Sequence, residues 1–188
     1  MLQINIYQKL IKVDLSIGLA TTMIGLFIFY NAEILSGNFA KVYAIIILAN
    51  SIIGMMIYSY DKSASKSSIS VVHVFNLFSI VVGIILMINK GISVLLLLVL
   101  LSTWAILHSG TRLLHMWKMR ELPAKIHFIV VTIQSASVFL GISILFNLRV
   151  PNFIPVNNIC ALLIMAGVQN VIPITYLLQT KSENMISE

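Results

Sequence analysis

The residues best suited to chemistry in this 188-residue chain are four histidines, one arginine and a set of amides, all within or beside long apolar runs. An ionisable side chain inside a membrane-length apolar run costs free energy to bury, so it is read first as a candidate for function. His108, Arg112 and His115 are spaced by four and three residues, which places them on one face of a helix. His73 and His127 fall near the starts of the third and fifth runs, so all four histidines gather toward one side. Histidine titrates at about pH 6.5. The group is therefore read as a pH sensor or proton-responsive lock, against the alternative that these are interfacial residues bonded to carbonyls and headgroups. Arg112 is expected to snorkel to the headgroups, and Lys12 with Asp14 to anchor a hydrated edge of the first run.

The amides form a second set. Asn76 and Gln134 are 58 residues apart, with Gly18 at the same place in the first repeat described below, and Asn50, Gln169 and Asn170 lie in the second and sixth runs. Such side chains commonly bond across helices within a bilayer. The alternative is a polar path for a small solute or water, to which Pro173 would add a carbonyl freed by a kink in the last helix. No metal site is expected, because no second histidine lies four residues from His108 and no cysteine or buried carboxylate accompanies it. Catalysis is not expected either, and no cofactor is implied: the chain holds no Ser–His–Asp set, no paired carboxylates and no phosphate-binding glycine loop. Cys160, the single cysteine, excludes an intrachain disulfide and reads as a small packing residue.

These residues need elements to hold them, and composition says which. Hydrophobic residues make up 59% of the chain and charged residues 10%, against about a quarter charged in an ordinary soluble domain. Mean hydropathy is +1.01. A soluble enzyme, a disordered chain and a nucleic-acid-binding module are all disfavoured, and the net charge of +6 is assigned to orientation and lipid headgroups. A spanning helix needs about 20 apolar residues. Six runs qualify: 13–30, 42–58, 71–88, 92–114, 126–146 and 158–178. They are continuous rather than alternating, which argues against a β-barrel. The first run follows Lys9 and Lys12 as a signal peptide would, but bulky or polar Phe29, Tyr30 and Asn31 follow it, so it is kept as a helix of the mature protein. Nine Lys and Arg fall on the side of the termini and three (Lys41, Lys90, Arg149) on the other. This predicts a plasma-membrane protein with both termini cytoplasmic. The polar tail 179–188 is expected to be disordered.

The chain also repeats. Gly25, Gly83 and Gly141 are 58 residues apart, each preceded four residues earlier by Thr21, Ser79 or Ser137 and followed six later by Asn31, Asn89 or Asn147. A further glycine follows in each partner helix, at Gly54, Gly110 and Gly167. Small residues let helix backbones approach in lipid, and asparagine suits a helix C-cap. The expected fold is an all-α membrane bundle of six transmembrane helices in one domain, built from three helical-hairpin repeats at approximately 12–62, 70–118 and 126–180.

On the six-helix layout, the glycine before each outer turn and the stretch Ser109-Gly110-Thr111-Arg112-Leu113-Leu114 running into a basic segment, the chain resembles the HdeD family of small bacterial inner-membrane proteins. Members often carry proline at the outer turn, where this chain has Asn31, Asn89 and Asn147 and prolines (Pro151, Pro155) only at the third. The resemblance implies a role in acid or general stress tolerance and no catalytic motif. Two further readings stand beside it. One is a small channel or transporter; the other is an accessory subunit that binds another membrane protein, or a second copy of itself, through its small-residue faces.

Overall fold

The computed structural model describes residues 2–31, 39–60, 66–89, 93–116, 123–147 and 155–186. All of these belong to six helices or their immediate ends: α1 (Leu2–Tyr30), α2 (Phe39–Tyr60), α3 (Lys66–Ile88), α4 (Val94–Met116), α5 (Ala124–Asn147) and α6 (Pro155–Ile186). Five of them, α1 to α5, are long and apolar enough to cross a membrane. The apolar stretch of α6 among the described residues is shorter, 157–173, within a helix of 32 residues. Within that stretch Gln169 and Asn170 are buried, as described below. The expected disorder of the tail is corrected: α6 continues through Gln179 and Lys181 to Ile186, with no glycine or proline after Pro173 to stop it.

Local signals set several helix ends. Asn31 and Asn89 donate their side-chain amides to the Phe27 and Ile85 carbonyls at 2.9 and 3.1 Å, which also accept from the backbone amides of the same asparagines at 3.1 and 3.2 Å, so each asparagine fastens the last turn of its helix twice. Ser93 starts α4 by accepting from the Leu96 amide at 3.3 Å. Within the spans, hydroxyls bond back to carbonyls one turn earlier, as Thr21 does to Ile17, Ser51 to Ile47 and Ser79 to Phe75. This leaves them satisfied in an apolar medium.

The helices form an inner set and an outer set. Half of the spanning windows of α2 and α4 is buried, against 28–33% of those of α1, α3 and α5. The largest buried apolar side chains are mostly on α2 (Tyr43, Ile47), α4 (Leu101, Trp104) and α6 (Ile159, Leu162, Leu163). Each outer helix presents one stripe inward: Asp14, Gly18, Thr21, Gly25 and Ile28 on α1. Its counterparts are Val72, Asn76, Ser79, Gly83 and Leu86 on α3, and Val130, Gln134, Ser137, Gly141 and Ile144 on α5; all fifteen are buried. Spacings of four, three, four and three average 3.5 residues, the period that keeps one face turned to a common axis.

The tightest pairs are not the sequence hairpins. α1 packs most extensively on α6, α3 on α2, and α5 on α4. The repeat glycines explain why. A Cβ on Gly25 would meet Ile164 and Leu163 of α6, one on Gly83 would meet Leu48 and Ile47 of α2, and one on Gly141 would meet Ile106 and the Ser102 carbonyl of α4. Each therefore seats its helix against the inner helix that precedes it around the ring, and α6 closes the ring onto α1. Gly54 lies 3.3 Å from Asn76 by the same measure and Gly167 is pressed on Gly18 and Thr22, whereas Gly110 has only Phe75 at 3.9 Å.

Candidate functional site

The polar residues that the inner helices carry meet near the end of the bundle where α1 begins. Asp14 stands on the inward stripe of α1, four residues before Gly18, and is 0% exposed. Its expected hydrated, anchoring position is corrected. The stripe that seats α1 on α6 also carries Asp14 inward, whereas Lys12 stays exposed. The repeat offers a signal that could have found this, because Asp14 occupies the place of Val72 and Val130, both buried. Arg112 does not snorkel. It is 9% exposed, and its Nη2 donates to both Asp14 carboxylate oxygens at 2.8 Å.

Asn170 of α6 joins this pair to the other inner helices. Its amide nitrogen donates to Asp14 Oδ1 at 3.2 Å and to Asn50 Oδ1 of α2 at 2.8 Å. Asn50 in turn donates to the Ile46 carbonyl at 3.0 Å, which fixes its own oxygen as the acceptor. With both nitrogen protons committed, Asn170 Oδ1 faces His108 Nε2 at 3.2 Å, so Nε2 carries the proton on that side. The His108 ring stacks on Trp104, centroids 5.3 Å apart. Beside this unit, the Ser109 hydroxyl and the Gln169 amide exchange hydrogen bonds at 3.1 Å. Pro173 lies within α6 and is buried, and lacking an N–H it leaves the Gln169 carbonyl without its helical donor.

The candidates from sequence thus separate. His108, Arg112, Asn50, Gln169 and Asn170 come together, and Asp14 completes them. His73 sits apart on α3, partly buried, with its Nε2 3.1 Å from Ser59 Oγ on the neighbouring helix. His127 is partly buried at the start of α5, and the side chain of His115 lies outside the described residues. Asn76 bonds the Val72 carbonyl of its own helix at 3.0 Å and packs on Gly54, away from Asn170. Gln134 lies on the buried stripe of α5 with its Oε1 unbonded. Among the described residues, no group of three His, Cys, Asp or Glu side chains could hold a metal ion.

Chemically, the assembly is an ion pair out of water, held by an amide that donates to Asp14 and faces His108 with its oxygen. Removing one partner of such a pair leaves an uncompensated charge, at a cost of about 3–5 kcal/mol. The fold and this site define a helical membrane protein with a buried ion pair and amide network toward one end of the bundle. The chain matches no family model, no curated protein and no solved structure.

Proposed function

We propose that this protein is a non-enzymatic, multi-pass protein of the bacterial plasma membrane, of the HdeD type, that supports acid or general stress tolerance. Its proton-responsive element is the Asp14–Arg112–Asn170–His108 unit. The observation that carries the reading is the complete burial of Asp14 against Arg112, with the same Asn170 amide reaching His108. Loss of the Asp14 charge would remove what compensates Arg112 and loosen the tie between α1 and the inner helices. The excess of Lys and Arg on the side of the termini supports a cytoplasmic location for them.

A small proton or solute pathway is the second reading. What favours it is the same acid: a carboxylate buried within the bundle is what a proton-coupled path requires, and α1 supplies one. The test reconstitutes the protein in liposomes around a pH-sensitive dye and steps the external pH, comparing wild type, Asp14→Asn and His108→Gln. Dye response in wild type that is lost in Asp14→Asn supports the pathway. No flux in any variant, together with an acid-triggered change in protease sensitivity that Asp14→Asn lacks, supports the stress-responsive lock. Identical behaviour of all three proteins in both assays rejects both.

A further inference from the structure

The first helix carries two kinds of residue on two sides. Asp14 and Gly18 turn into the bundle, while Lys9, Lys12, Val13, Ser16 and Ala20 are exposed. A groove of about 350 Å³ runs along this outer side, lined by Lys12, Val13, Ser16, Ile17 and Ala20. Lys12, Ser16 and Ala20 follow one another four residues apart, with Val13 and Ile17 as the adjacent row. The groove therefore follows the helix axis for about two turns.

Its floor suits hydrocarbon. Ser16 Oγ donates to the Lys12 carbonyl at 3.0 Å, which spends its proton within the helix, and Val13, Ile17 and Ala20 bring no polar side-chain atoms. The charge lies at one end. Lys12 closes the groove toward the start of α1, and Lys9 is exposed one turn before it, three residues away and so on the same side. Lysine lays its methylenes along apolar surface and keeps its ammonium at the water boundary. The spanning stretch of α1 begins at Lys9, so both cations stand at headgroup level and the groove leads from them into the hydrocarbon. Asp14 does not neutralise them, because it is turned inward and paired with Arg112.

An apolar slot with two cations at its mouth is complementary to a molecule with an anionic head and a hydrocarbon tail. We propose that the outer groove of α1 binds one anionic phospholipid, its phosphate on Lys9 and Lys12 and an acyl chain over Ser16 and Ala20. The site is independent of any proton response of the Asp14–Arg112 unit.

The test is native mass spectrometry of the protein ejected from nanodiscs that hold phosphatidylglycerol and phosphatidylcholine in equal amounts. Wild type is expected to retain one phosphatidylglycerol in preference to phosphatidylcholine. Lys9→Gln with Lys12→Gln should lower that preference by roughly five-fold for each lysine. Ala20→Leu keeps both charges but fills the groove, and should lose the retained lipid. All three positions are exposed, so the variants leave the bundle interior untouched. No preference in wild type overturns the proposal. So does an Ala20→Leu protein that retains phosphatidylglycerol as wild type does, since diffuse charge alone would then draw the lipid. A preference unchanged in the double lysine variant also overturns it, because the headgroup would then have no site.

Discussion

The two ends of the bundle interior are built on opposite principles. Toward the turns that follow α1, α3 and α5, the inward stripes end in Ile28, Leu86 and Ile144, all buried and apolar, and the three repeats are interchangeable there. Toward the chain termini the same stripes end in Asp14, Val72 and Val130, and the repeats are no longer equivalent. Apolar packing in one half is satisfied by any well-fitting side chain. The polar half requires particular residues from four helices: Asp14, Asn50, His108 with Arg112, and Asn170. An internal repeat therefore marks where the molecule is scaffold, and the place where the repeat fails marks where it is specialised.

The largest effect expected from this contrast is at the ion pair. Arg112→Leu leaves Asp14 buried without its counter-charge and should lower stability by about 3–5 kcal/mol, read by chemical or thermal unfolding in detergent. Restoring the repeat with Asp14→Val together with Arg112→Leu should recover most of that loss, because apolar replacement of a buried pair is often neutral or better. A double variant as unstable as the single one would mean that the unit is structural scaffold after all. In the apolar half, Leu86→Ala should cost about 2–5 kcal/mol, while leaving any acid response of the Asp14–Arg112 unit in place. An acid response lost in Leu86→Ala would remove the distinction between the halves.

Smaller effects sharpen the account of the seams. Gly167→Ala drives a methyl group into Thr22 and the Gly18 backbone and should cost about 1–3 kcal/mol or more as overpacking. Gly110→Ala, with only Phe75 at 3.9 Å, should be neutral or gain up to about 1 kcal/mol from helix propensity. The order of the two midpoints checks the helix pairing directly, since three equivalent sequence hairpins would make these glycines equally sensitive.

Much of the fold was legible in the chain. Continuous apolar runs specify helices, and Gly25, Gly83 and Gly141, 58 residues apart, each stand close against a neighbouring helix. What spacing does not reveal is the neighbour each glycine touches. A helix with two flanking helices presents the same small residue to either, and the choice between them is made by side chains far away in sequence, such as Leu163 and Ile164 against Gly25. The site was half legible. His108 and Arg112 stood out as ionisable residues on one helical face, and Asn50, Gln169 and Asn170 as intramembrane amides. Asp14 was misread because hydropathy places it five residues from Lys9 at the edge of a span, where hydration is the usual expectation. Its register with Gly18, Thr21 and Gly25 carries the opposite information, because a residue on the packing stripe is buried at whatever depth it lies.

The central claim is that the Asp14–Arg112–Asn170–His108 unit ties α1 to the inner helices at neutral pH and releases it in acid. Spin labels at exposed Ser16 on α1 and at exposed Leu114 on α4 would report the distance between these helices in nanodiscs across a pH titration. The account predicts a distance distribution that broadens and lengthens on acidification in wild type and stays unchanged in the Asp14→Val, Arg112→Leu double variant. A wild-type distribution that is the same at neutral and acidic pH, in protein that remains folded, would contradict it.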